Sequence, residues 1–155
     1  MAESLSRPPK AAHHFHRVAI LFAGGPAPGA NAVISTAATS FMRNDTEVVG
    51  MKHGYSSLAD FSSDKPLVEG KDYINVTPEF LKRTRSGQGI MLGTARTNPG
   101  KHISDPAHFD DEERVKPLKN TYEGLLSLGV EALISIGGDD TLKTANKFKL
   151  YQDRL

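Results

Sequence analysis

Asp139 and Asp140 are neighbouring carboxylates that follow Gly137-Gly138 and precede Thr141. These residue types in this order suit phosphate chemistry. Glycines let a backbone turn sharply and come close to a ligand. The free N–H groups of a helix start point at whatever anion sits there. A carboxylate at such a spot either caps the helix or ligates a hard cation such as Mg²⁺. A cap accounts for one acidic residue but not for two that repel each other, so the pair favours a cation. Backbone donors beside a Mg²⁺-binding carboxylate are what a phosphoryl-transfer site needs.

Two further stretches carry related chemistry. Gly24-Gly25-Pro26-Ala27-Pro28-Gly29-Ala30-Asn31 is a stiff loop of glycines and prolines built for close approach. It is not a Walker A loop, since Ala30 follows Gly29 and no Lys-Ser/Thr comes after. Nor is it a dinucleotide fingerprint, because Pro26 takes the place of the second glycine. Residues 86–100 are rich in glycine and small side chains and contain Arg96, whose planar fork matches phosphate oxygens. Lys82, Arg83 and Arg85 just before it read as a solvated basic loop.

The elements that position these groups alternate. Arg17–Ala23 is a compact apolar run expected to form a buried strand. Asn31–Met42 has helical spacing of Val33, Ile34, Ala37, Ala38 and Phe41. Glu47–Lys52 reads as a second strand leading into His53-Gly54-Tyr55, and Tyr73–Val76 as a third. Thr77-Pro78 starts a helix as cap and first residue. Asp110–Leu128 is an amphipathic helix with a buried stripe of Val115, Leu118, Tyr122, Leu125 and Leu126. Gly129 would cap its end, and Pro117 suggests a start near that residue. The acidic run 110–113 fits a helix start. Glu131–Ile136 is a last strand and Thr141–Phe148 a last helix. Residues 67–72 fit no element.

This alternation predicts an α/β, doubly wound, mostly parallel sheet with helices on both faces. Ligands of such sheets sit beyond the C-terminal strand ends. Both Gly-Gly loops leave strand ends, so both are expected to line one cleft.

The bulk numbers narrow the classes. A formal net charge of +1 argues against a nucleic-acid footprint over the surface. Without cysteine there is no disulfide, thiolate metal site or cysteine nucleophile. No apolar stretch reaches the length of a membrane helix, so the expected compartment is cytoplasmic, with no membrane partner. Residues 1–16 are polar; although His13, His14 and His16 could ligate a metal, they read as part of a flexible tail. Residues 17–155 then form the domain, expected to be incomplete because the chain ends soon after its most informative motif.

Taken in order, Gly24–Asn31, Gly89-Ile90-Met91-Leu92-Gly93-Thr94-Ala95-Arg96 and Gly137–Thr141 resemble the phosphofructokinase family. The resemblance implies phosphoryl transfer, with Mg²⁺, to the 1-hydroxyl of fructose 6-phosphate by an oligomer. It is nearer to the pyrophosphate-dependent branch. ATP-using members typically carry Asp where Pro26 stands and Gly where Asp140 stands. A carboxylate at Asp140 would crowd and repel the α-phosphate of ATP, a conflict that pyrophosphate avoids.

The roles implied are these. Arg96 and Asp140 are the candidate catalytic residues, Arg96 clamping the donor and Asp140 selecting it. Gly25, Gly138 and Thr141 join them in binding the donor, and Asp139 holds Mg²⁺. The family's base lies in a Thr-Ile-Asp-Asn-Asp motif that this sequence lacks, as it lacks most of the sugar-phosphate contacts. The chain alone is therefore expected to be inactive and to associate with the remainder of its protein or with copies of itself. Gly-Gly-Asp-x-Thr-Leu also resembles NAD kinase and the diacylglycerol kinases. A non-catalytic regulatory or truncated subunit is a further alternative.

Overall fold

The computed structural model describes residues 12–84 and 87–155. The tail expected over 1–16 thus lies, for residues 1–11, outside the described residues, as does Arg85. Contacts begin before the first strand. Thr46 Oγ1 donates to Phe15 O (2.7 Å) and Glu131 Oε2 accepts from the His16 N–H (2.8 Å), so residues 15–16 are fastened to the sheet.

Four strands form one sheet: β1 (Arg17–Ala23), β2 (Glu47–Met51), β3 (Tyr73–Asn75) and β4 (Ala132–Gly137). Their spatial order is β3-β2-β1-β4, parallel throughout the β2-β1-β4 portion, with β3 antiparallel on β2. β1 is central, and Val18 to Ala23 are buried on both faces, which is why it reads as an unbroken apolar run.

Helices cover both faces. On one lie α1 (Ala30–Met42) and α3 (Pro78–Thr84), packing Ile34, Ala38, Phe80 and Leu81 against Val18, Ile20 and Phe22. On the other lie α2 (Ser56–Ala59), α4 (Glu112–Ser127) and α5 (Asp139–Gln152), packing Leu58, Leu118, Leu125 and Phe148 against Ala19, Leu21 and Val49. This is the doubly wound arrangement expected. A short 3₁₀ turn, Pro106–Asp110, precedes α4.

Helix ends follow local chemistry. Thr77 Oγ1 accepts from the Phe80 N–H at the start of α3 (3.2 Å). α4 runs through Pro117 rather than starting near it. Its cap is Asp111, which accepts from the N–H groups of Glu113 and Arg114 and is also bound by the Arg114 guanidinium. Those bonds offset the one backbone bond the proline removes. At its far end the Gly129 N–H reaches Leu126 O and the Val130 N–H reaches Leu125 O, the paired bonds of a Schellman close. Residues 67–72, unassigned from sequence, form a turn in which Asp72 accepts from Ser57 Oγ and the Val68 N–H.

Two expected core positions are exposed instead: Val33 (51 %) and Leu126 (53 %). Each sits at the margin of its helix's apolar stripe, beyond the width that the sheet covers.

Candidate active site

β1 and β4 are adjacent, with Ala23 paired to Gly137, so the two glycine turns leave the sheet side by side. The chain passes from β1 to β2 on one side and returns to β4 on the other. The crevice between β1 and β4 is therefore the switch point at which doubly wound sheets bind ligands. A cleft of about 300 Å³ opens there, lined by Gly24, Gly25, Tyr55, Arg96, Asp140 and Thr141 among others. A larger groove of about 920 Å³ lies between α1 and α3, away from these turns, and offers no carboxylate.

The walls of the cleft are cross-braced. Gly24, at φ +109°, holds a backbone shape that other residues rarely adopt. Its N–H donates to Ala95 O (3.0 Å), and its carbonyl accepts from Thr94 Oγ1 (2.6 Å). Asn31 fastens the next part of the Arg96 segment, donating to Gly89 O and accepting from the Met91 N–H. Buried Thr141 donates to Ala23 O (3.0 Å), tying α5 to β1. With its proton spent on that carbonyl, the Thr141 hydroxyl has none to donate to a phosphate, which leaves its backbone N–H as the donor there. Thr141→Val is expected to cost about 1 kcal/mol by removing this bond, seen as a fall of roughly 2–4 °C in the thermal midpoint.

Asp139 and Asp140 form the first turn of α5, and neither is its cap. That position belongs to Gly138, which brings no side-chain acceptor. The first intrahelical bond runs from the Leu142 N–H to Gly138 O, leaving the N–H groups ahead of it without a capping side chain. The carboxylates diverge. Both are exposed, but Asp140 lines the cleft, whereas Asp139 pairs with Lys143 (2.8 Å). The hydrogen bond to Asp139 raises the pKa of Lys143 above its ordinary value.

Arg96 lines the cleft and makes no hydrogen bond or ion pair among the described residues. The same holds for the Asp140 carboxylate. An unpaired guanidinium and an unpaired carboxylate thus face one small cavity with helix N–H groups at its rim, which can bind an anion together with its counter-cation.

Magnesium is implied by the resemblance, and the donor set suits it. Mg²⁺ takes one or two carboxylates and completes its shell with phosphate oxygens and water. Asp139 and Asp140 supply hard oxygens, and an exposed i,i+4 partner such as Lys143 is weakly held and yields to a divalent ion. Among the described residues no cluster of three or more His, Cys, Asp or Glu is arranged as a complete protein cage.

Tyr55 was not among the expected site residues. It is buried beneath the cleft with its hydroxyl 2.8 Å from Ser135 Oγ. Burial raises its pKa, with the Ser135 contact partly opposing. The signal was its place just after β2, a strand that ends beside β1.

Comparison with known proteins identifies the family: residues 17–154 match the phosphofructokinase family model. The chain belongs to the phosphofructokinase family. The match spans nearly the whole chain. One relative is the pyrophosphate–fructose 6-phosphate 1-phosphotransferase of Thermotoga maritima, 37% identical over 84% of this chain and 27% of its own length. Another is the ATP-dependent 6-phosphofructokinase of Aquifex aeolicus, 38% identical over 83% of this chain and 33% of its own. In fold the chain is similar to phosphofructokinase from Saccharomyces cerevisiae, with a TM-score of 0.67 at 24% identity, over 88% of this chain and 16% of that one. The Pichia pastoris phosphofructokinase in the T-state gives 0.66 at 21% identity, over 96% and 14%. The chain spans about a third or less of the curated relatives it matches. Among the described residues no helix is long and apolar enough to cross a membrane.

Proposed function

We propose that this chain is the phosphoryl-donor side of a phosphofructokinase that takes its phosphoryl group from pyrophosphate. The acceptor is the 1-hydroxyl of fructose 6-phosphate and the product fructose 1,6-bisphosphate. The relatives include users of either donor, so the choice rests on one residue: Asp140, whose carboxylate lines the cleft beside Gly25 and Arg96. A nucleotide would have to lay its α-phosphate against that charge, where the carboxylate both repels it and takes up the space it needs. Pyrophosphate fills a cleft near the lower size limit of ligand pockets without that conflict.

The chain's residues divide the work. Gly25 and Gly138 let the backbone close on the phosphates, and the first-turn N–H groups of α5 donate to them. Arg96 grips the phosphate oxygens as a fork and offsets the charge that moves as the phosphoryl group departs. Asp139 would hold the magnesium ion, which supplies charge neutralisation to the phosphate oxygens. The acceptor site and the base belong to the remainder of the protein, whose setting we take to be a cytoplasmic oligomer.

Titration with pyrophosphate and with ATP, each with Mg²⁺, tests the reading. Pyrophosphate is expected to bind more tightly, and tight ATP binding would overturn the assignment. Asp140→Gly is expected to strengthen ATP binding about tenfold, as removal of one like charge worth about 1.4 kcal/mol. If ATP affinity stays flat while the variant remains folded, Asp140 is not the gate.

A further inference from the structure

Arg96 has no partner of its own among the described residues, yet a phosphate clamp must be held in place before its ligand arrives. The structure shows what holds it. On its N-terminal side, Thr94 and Ala95 are bonded to Gly24 in the turn after β1. On its C-terminal side, Asn98 Oδ1 accepts from Thr144 Oγ1 (2.7 Å) and from the Gly100 N–H (2.9 Å). Lys147 Nζ donates to Gly100 O (2.9 Å). Thr144 and Lys147 both belong to α5. Arg96 and Thr97 therefore span from the β1 turn to the α5 helix, with the Thr97 hydroxyl also 2.9 Å from Ser56 Oγ of α2.

The helix end of this span is built closely. Thr144 is 2 % exposed and stands one turn after Asp140, and its hydroxyl also lies 2.8 Å from Asp140 O. A single buried hydroxyl thus meets both the backbone of Asp140 and the loop that carries Arg96. Gly100 packs so near Lys147 that a methyl group there would fall 2.9 Å from its Cδ. A buried hydroxyl whose partner lies on another element pins the two elements together.

We propose that Asn98, Thr144 and Lys147 are positioning residues for Arg96, holding the backbone that carries its guanidinium at a set distance from the α5 N-terminus. This rests on the donor-site reading above. The strap ties the Arg96 segment to α5 one turn beyond Asp140, so the spacing of the two charges depends on the seating of that helix as well as on the β1 turn. It also accounts for buried polar side chains on a helix face that would otherwise pack well with apolar ones.

The test is a thermodynamic cycle on the 155-residue chain, read as pyrophosphate affinity with Mg²⁺ by phosphorus NMR titration. Thr144→Val keeps the shape and removes the hydroxyl. It is expected to weaken binding about tenfold when Arg96 is present, and by less than about twofold when Arg96 is alanine. Thr144→Ser restores binding. Lys147→Met, which removes only the contact to Gly100, repeats the dependence on Arg96 in smaller measure and serves if Thr144→Val folds poorly. Equal losses in both backgrounds would mean that Thr144 merely supports the fold, and the proposal falls. No loss from either variant in the Arg96 background sinks it as well. If Arg96→Ala binds pyrophosphate as well as the unaltered chain, the donor-site reading itself has failed, and the strap has no clamp to position.

Discussion

Replacing Arg96 by alanine is expected to lower turnover of the complete protein by about 10²–10³-fold, the usual cost of losing a charged donor aimed at transition-state charge. The thermal midpoint should move by less than about 2 °C, since surface changes away from packing are nearly neutral. The separation of the two effects follows from the structure: Arg96 is exposed, lines the cleft and makes no bond to the fold among the described residues. Arg96→Lys keeps the charge but loses the fork, and should recover only part of the rate. Pyrophosphate affinity in the alanine variant should fall about 10- to 100-fold, the range for a charge-assisted hydrogen bond. Steady-state kinetics beside a melting curve decide the matter. A variant that is fully active, or one that is inactive because it has unfolded, would remove Arg96 from the site.

The glycine turns, the strand that feeds each of them and the helix that follows were readable because they depend on local chemistry. A central strand buried on both faces leaves an apolar run, as Arg17–Ala23 does, and a turn that needs close approach leaves glycines. What was not readable depends on the width and order of packed layers. Helical spacing put Val33 and Leu126 in apolar stripes, but spacing does not say how far the sheet extends beneath each stripe. Tyr55 was missed because its place under the cleft requires β2 to lie beside β1, and strand order is a long-range property. The roles of Thr141 and Thr144 were hidden for a related reason. Each hydroxyl answers a partner more than forty residues away, Ala23 O for one and Asn98 for the other. The apolar pattern of α5 carries no trace of either partner. The acidic pair was a mixed case: its nearness to the cleft followed from the motif, but the divergence of Asp139 toward Lys143 did not.

The glycines of the two turns should separate under substitution. Gly137→Ala is expected to destabilise the fold by about 1–3 kcal/mol or more, whereas Gly25→Ala should leave stability within about 1 kcal/mol and instead weaken pyrophosphate binding. A methyl group on Gly137 would overlap Ala23 O and lie 2.8 Å from Thr141 Cβ. The obstacles are backbone of the central strand and a side chain already bonded to it, so neither can yield without parting β1 from β4. A methyl group on Gly25 meets nothing within 4 Å, and the backbone there has no positive φ that would strain alanine. That open space is the cleft, so the protein alone tolerates the methyl and a bound phosphate does not. Gly138→Ala should likewise leave stability nearly unchanged, because its position is equally open and its extended backbone suits alanine. Chemical denaturation and ligand titration of the three variants make the comparison. If Gly25→Ala binds pyrophosphate normally, the phosphates do not approach the β1 turn, whatever the family to which the chain belongs. If Gly137→Ala proves harmless, the β1 and β4 backbones are not in the tight register that brings the two turns together.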